Sequence, residues 1–404
     1  MTNSLFSGVS GLSSYQKMLE VIGGNMANIN TPGFKAGSFR AVENFSQTIK
    51  EAAAPNNITG GTNPVQVGGG ANIGAIVANF GQGNFEQTGR NLDLAIEGEG
   101  FFVLNGGEQN LFSRVGSFAL DEDSQLVDQI SGFKVIDVNN QPITINTEEP
   151  LPPSATSQLG LQGNLDPTVA IPAGTVTLSS TVVDPQGASH TADITFTHVA
   201  ADQWDAQVSL PNGDGVVNDA DITGLTFNPD GSFASVADNA FSITFNGFAT
   251  PQTVTLDFGN ANSFNGVTQV SGATTIVANQ NDGFSSSPLI DIGFDAEGQI
   301  IGQYSNGERQ ALGQIGIATF SNPEGLEKVN GNMFSTTGNS GEANITGGLT
   351  GRAGAVLSGN LETSNVDTSK EIALMIIAQR GFQFNARVIT ASNEILQEAA
   401  NLIR

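Results

Sequence analysis

Five apolar side chains near the C-terminus, Met375, Phe382, Ile389, Leu396 and Ile403, recur at a strict seven-residue interval. Such spacing predicts a long helix with a narrow apolar seam. Val388, Ile395 and Leu402 widen the seam, and Ala378, Ala386 and Ala399 are small neighbours beside which a second helix can approach closely. Thr368 and Glu371 have the spacing of a capping box at its start. The N-terminus carries a related pattern in Leu5, Leu12, Tyr15, Leu19, Ile22, Met26 and Ile29. Asn30-Thr31-Pro32-Gly33 ends that helix, because Pro32 cannot continue it and restricts the residue before it. A terminal seam either packs on a β domain of its own chain or pairs with another helix. Its narrowness, and its place at both extremes of the chain, favour pairing. The expected helix seam, pairing the two ends with each other or with copies in neighbouring subunits, is then Leu5, Leu12, Leu19, Ile22 and Met26 with Met375, Phe382, Ile389, Leu396 and Ile403.

The interior is of another kind. Among 404 residues there are 50 glycines, many in Asn-Gly or Asp-Gly steps such as Asn105-Gly106, Asp230-Gly231, Asn246-Gly247 and Asn306-Gly307. These steps supply the positive φ angles of tight hairpins. Between them lie short alternating segments: Leu92, Leu94 and Ile96; Ala192, Ile194 and Phe196; Phe241, Ile243 and Phe245. The expected fold class is mainly β with α-helical termini. It comprises two β-rich domains, the outer inserted in the inner, and an N-/C-terminal coiled-coil helix domain. The expected boundaries are 1–35 and 361–404 for the helices, 36–70 for an extended Gly/Pro-rich linker, 71–145 and 291–360 for the inner β domain, and 146–290 for the insert.

Composition narrows the function. A net charge of −25 with only 14 Lys and Arg argues against nucleic acid and anionic membranes. Zero cysteines exclude disulfides, thiol nucleophiles and thiolate metal sites. No stretch approaches the roughly 20 apolar residues of a membrane span. The first residues lack the basic and continuous apolar regions of a cleavable secretory signal.

Candidate chemistry is thin. His190 and His198, on what read as adjacent β segments, are expected to be structural or surface residues. The segment Asn212–Asp221 resembles part of a calcium loop, with Asp214, Gly215 and Asp221 at its fifth, sixth and twelfth positions. Its first position is Leu210, which has no ligand oxygen, so a tight acidic hairpin is the simpler reading. Nothing among the 39 carboxylates singles out a glycosidase pair. Gly68-Gly69-Gly70 lacks the Lys-Ser or Lys-Thr of a phosphate loop. No catalytic residue, metal or cofactor is expected.

Several blocks together resemble the flagellar rod and hook axial protein family. They are Asn28, Thr31, Gly33, Phe34 and Lys35 after the first helix, Thr88–Phe102, Phe112–Asp121, Gly313–Leu326, and Leu361–Asp367 leading into Ala378-Gln379-Arg380. Distal rod proteins are much shorter. The stretch Asp184–His190 with Phe196 and Trp204 resembles the inserted domain of the hook branch. The resemblance implies a non-enzymatic subunit of a hollow, curved, flexible tube that passes torque from rod to filament. It also implies export of the unfolded chain by the flagellar type III apparatus and a place in the flagellum outside the cell. The implied partners are further copies of the chain and the distal rod, hook cap and hook-filament junction proteins.

Overall fold

A computed structural model describes residues 2–55, 60–172 and 174–402. The seam position Ile403 and the loop positions Asn56, Asn57 and Thr59 lie outside the described residues. Helices stand at the two ends, α1 at Thr2–Ala27 and α2 at Thr368–Leu402, and the chain between them is β. The cap of α2 falls one residue earlier than the sequence suggested. Asp367 Oδ1 accepts the Lys370 N–H at 3.1 Å. An aspartate here serves as N-cap and also places negative charge at the helix N-terminus, so it displaces Thr368 from the capping position. Among the described residues, no helix is long and apolar enough to cross a membrane.

Two compact units divide the chain. The first comprises Met1–Asn146, Ile292–Gly302 and Gln310–Arg404, and the second Thr147–Asp291 with Gln303–Arg309. In the first, the described residues include an eleven-stranded sheet whose centre is the strand Phe101–Asn105, paired with Asn110–Ser113, Lys134–Val135 and Ile317–Thr319. Phe102 and Leu104 point into one apolar cluster with Leu94, Ile96, Phe118 and Leu126. Phe101 and Val103 point into another with Phe112, Phe320 and Phe334. A strand buried on both faces needs an unbroken apolar run, and Phe-Phe-Val-Leu supplies it.

The second unit is a sandwich of two sheets. Thr175–Val183, Ser189–Ala200, Gln203–Ser209, Asp221–Phe227 and Phe233–Ser235 form one, all antiparallel. Gly215–Asp219, Ala240–Phe245, Gln252–Asp257, Gln158–Asn164, Val267–Thr268 and Val277–Asn281 form the other. Alternate residues Ala192, Ile194 and Phe196 meet Trp204, Phe241, Ile243 and Leu256 in the shared core. His190 and His198 lie on one strand rather than on adjacent segments. The calcium-loop segment is no loop: most of it is the strands Gly215–Asp219 and Asp221–Phe227.

The 36–70 stretch is not a linker. Gly37–Glu43 pairs with Ala71–Ala78, and Ser46–Lys50 pairs with Val65–Gly68, so the segment doubles back as a ladder. Gly61, Gly68, Gly69 and Gly70 serve close contact rather than flexibility. Gly70 has φ +102°, and a Cβ there would lie 2.1 Å from Ser10 Oγ of α1. The base of the ladder rests on α1: Ser14 Oγ donates to the Ala71 carbonyl at 3.2 Å, and Asn25 exchanges hydrogen bonds with Gly37 at 2.8 and 2.9 Å.

Candidate assembly surface

The two terminal helices run antiparallel and touch through small residues. Ser4 Oγ lies 3.5 Å from Ser392 Oγ. Gly8 faces Ile389 and Val388, Gly11 faces Asn385, and Gly381 faces the Tyr15 ring. A Cβ on Gly8 would stand 3.1 Å from Ile389 Cγ1, and one on Gly11 would stand 2.7 Å from Asn385 Oδ1. Glycine inside a helix costs about 1 kcal/mol relative to alanine, so glycines at this spacing carry a packing purpose. Here they let the helix axes approach.

The expected seam falls partly on this contact. Ile389 lies on it against Gly8, and Ile22 is buried. Leu5, Leu12, Leu19, Met26, Met375 and Phe382 are half-buried, and Leu396 is exposed. The pair also leaves large side chains uncovered: Phe6 and Val9 on α1, and Ile372, Ile376, Ile377, Phe384 and Ile395 on α2. Phe384 is 70% exposed. The ladder adds Val42, Ile49, Val65 and Phe45, the last 94% exposed. Apolar side chains gathered this way mark an interaction surface. Sequence reading missed the ladder and the glycine contact; Gly8, Gly11 and Gly381 at helical spacing were the available signal.

The turn after α1 explains its motif residue by residue. Asn28 Nδ2 donates to the Gly24 carbonyl at 2.9 Å, closing the helix, and Thr31 Oγ1 donates to Asn28 Oδ1 at 3.1 Å. Gly33 has φ +63°, and a Cβ there would lie 2.7 Å from Val115 Cγ2 and 3.0 Å from the Val115 backbone nitrogen. Phe34 is buried with Lys328 Nζ 4.1 Å above its ring. Lys35 is buried too. Its Nζ donates to Glu362 Oε1 at 2.7 Å and to the Gly81 carbonyl at 3.0 Å.

Glu362 gathers three parts of the first unit. Beyond Lys35, its Oε1 accepts the Gly83 N–H at 2.7 Å, and its carbonyl accepts the Gly33 N–H at 2.7 Å. Arg114 Nη1 stands 3.7 Å from Oε2, while Nη2 donates to the Gly98 carbonyl at 2.8 Å. All three charged side chains are almost fully buried. Burial pushes the Lys35 ammonium below its ordinary range, the neighbouring Arg114 adds to this, and Glu362 opposes both. This latch ties the chain leaving α1 to the chain entering α2. Gly33→Ala should therefore lower the unfolding free energy of the first unit by about 1–3 kcal/mol, from backbone strain and the Val115 clash. Urea denaturation checks this, and an unchanged midpoint would show that the turn relaxes freely.

Comparison with known proteins follows the same segments. Residues 5–35 match the flagella basal body rod protein family. Residues 137–284 match the flagellar basal body protein FlaE D2 domain, and residues 357–402 the C-terminal region of the flagellar basal body rod FlgEFG proteins. The chain is 35% identical to the flagellar hook protein FlgE of Treponema pallidum over the full length of both. It is 33% identical to FlgE of Escherichia coli over 98% of each chain. The flagellar basal-body rod protein FlgG of Bacillus subtilis is 30% identical over both full lengths. In fold alone, the chain is similar to the crystal structure of Helicobacter pylori flagellar hook protein FlgE2, with a TM-score of 0.53 and 13% identity over 69% of this chain and all of that one.

Proposed function

The chain belongs to the flagellar hook protein family, and from that premise we propose how its subunits join. It is a non-enzymatic, structural subunit of the bacterial flagellar hook. Copies polymerise through the paired terminal helices into a hollow, curved, flexible tube that carries torque from rod to filament. The carrying observation is the row of uncovered apolar residues on α2, Ile372, Ile376, Ile377, Phe384 and Ile395, beside a helix contact already made within the chain. A helical array needs heterologous contacts, each subunit offering a face to the next, and this face is free in the single chain. The seam residues act at two levels: Ile389 holds the pair against Gly8, and the half-buried Leu5, Leu12, Leu19, Met26, Met375 and Phe382 border the face offered to neighbours. The distal rod, hook cap and hook-filament junction proteins are the partners at the ends of the tube. The flagellar type III apparatus exports the chain unfolded, and the helices then form and pair outside the cell.

Electron microscopy of basal bodies from cells lacking the gene tests the reading. Basal bodies that end at the rod without hooks are expected. Normal hooks would overturn it, and basal bodies with truncated rods would point to the rod role that the FlgG similarity raises.

A further inference from the structure

His190 sits where the two sheets of the second unit meet, and both of its ring nitrogens face carboxylates. Nε2 is 3.1 Å from Asp184 Oδ2, and Nδ1 is 3.2 Å from Asp214 Oδ2. His190 belongs to the strand Ser189–Ala200 of the five-stranded sheet, and Asp184 to the turn that leads into that strand. Asp214 and Phe245 flank strands of the other sheet: Asp214 precedes Gly215–Asp219, and Phe245 ends Ala240–Phe245. The imidazole stacks on Phe245 at 4.4 Å between ring centres, with the planes 24° apart.

The Asp184 carboxylate and the Asp214 backbone are held independently of the histidine. Asp184 Oδ1 accepts the Gln186 and Ala188 N–H groups at 2.8 and 2.9 Å, which leaves Oδ2 directed at the ring. The Asp214 carbonyl accepts the Asn246 N–H at 2.9 Å, and Asn246 Nδ2 donates to the Gly213 carbonyl at 2.9 Å. The Asp184 acceptor is therefore in place whether or not the ring can serve it, and the backbone that carries Asp214 is anchored.

A neutral imidazole has one N–H, and an ionised carboxylate has none to give. Two carboxylates on two ring nitrogens are both satisfied only by the imidazolium, which donates twice and also lies over an aromatic face. We propose that His190 is a proton-operated clasp that fastens the two sheets of the second unit while its ring is charged and loosens them when the ring loses its proton. The titratable groups facing the ring are Asp184 and Asp214; its strand partner Val182 and the stacked Phe245 carry none.

The electrostatics agree with the geometry. Partial burial pulls the His190 pKa down, but the hydrogen bonds and attraction of the two aspartates outweigh it and set the ring above its ordinary value of about 6.5. Burial pushes the Asp184 carboxyl up, while His190 and the turn N–H groups outweigh it and hold the group below the usual carboxylate range. A pKa raised on folding contributes stability that is complete below the unfolded value, about 6.5, and is lost as pH climbs through the folded value. The contribution of the clasp is therefore complete below about pH 6.5 and declines as pH rises through the folded value above it. The clasp lies within one chain, so it holds or fails independently of how subunits assemble.

The chain has two histidines, so nitrogen NMR of the full-length protein resolves each, and His190→Gln assigns them by loss of one signal. The expected result is a His190 titration midpoint above the ordinary value of about 6.5, with both ring nitrogens protonated below that midpoint. Asp184→Asn or Asp214→Asn should each lower that midpoint by about one pH unit, and either variant serves if His190→Gln folds poorly. Wild-type thermal unfolding of the second unit should fall in temperature between about pH 6 and 9, with a flatter profile in His190→Gln. A midpoint at or below the ordinary value, or one unmoved by both asparagine variants, would overturn the clasp. So would an identical pH profile in His190→Gln.

Discussion

Glu362→Gln is expected to destabilise the first unit by about 3–5 kcal/mol, the usual consequence of removing one member of a buried ionic group. The glutamine fits the space and can still accept the Gly83 N–H, so lost volume contributes little. What changes is charge. Lys35 and Arg114, both almost fully buried, are left facing one another with no anion between them. In the native protein, burial and Arg114 already hold the Lys35 pKa low, and Glu362 is the group opposing them. Without it, Lys35 should release its proton more readily. A folded-state lysine with a depressed pKa binds fewer protons than the unfolded chain between the two pKa values, so stability rises with pH across that window. The variant should thus regain part of its loss as pH climbs toward the ordinary lysine range near 10.5. Combining Lys35→Met with Glu362→Gln should cost less than the sum of the two, because the uncompensated cation is gone. Urea unfolding of the full-length monomer reads all three quantities. A loss below about 1 kcal/mol for Glu362→Gln would mean that water already reaches the latch and that its charges are solvated.

Sequence and structure agree where the period of the chain matches one buried face. Ala192, Ile194 and Phe196 alternate toward a single core, so their strand was legible. The terminal helices were legible from their seven-residue spacing, though not the manner of their contact. That contact is made by Gly8, Gly11 and Gly381, which contribute nothing to an apolar stripe. The ladder of 37–78 was hidden for a related reason. Gly68, Gly69 and Gly70 were read as flexibility, whereas Gly70 admits Ser10 of α1 at short range. The motif Asn28, Thr31, Gly33, Phe34 and Lys35 was visible as a pattern, but its purpose depended on Glu362, 327 positions away from Lys35. Pairings at such separation leave no local signal. The same holds for His190. Its Asp184 partner lay within one noted motif and its Asp214 partner within another, and only the sandwich brings them to one ring.

Two aspartate substitutions on α2, five residues apart, should separate the contact made within a chain from contacts made between chains. Ile389 packs against Gly8 of α1, whereas Phe384 is 70% exposed on another face of the helix. Phe384→Asp leaves the monomer nearly untouched, since exposed substitutions away from special contacts shift stability within about 0.5 kcal/mol. Helical circular dichroism and the unfolding midpoint should match those of the parent. Assembly is another matter. Burying a phenylalanine between subunits is worth about 2 kcal/mol, and a carboxylate in the same dry contact adds a desolvation cost. Each subunit repeats the defect, so the variant should be exported and remain monomeric, and cells producing it should lack hooks. Ile389→Asp should fail one step earlier. The charge falls against the α1 backbone at a cost of several kcal/mol, so the helix pair itself comes apart. Helical signal should drop in the monomer while the β units keep theirs, and hooks should again be absent. The assignment of faces stands on the difference between the variants. Normal hooks from Phe384→Asp would mean that its face stays wet in the tube. Loss of helical signal in that variant would mean that Phe384 belongs to the intramolecular contact after all.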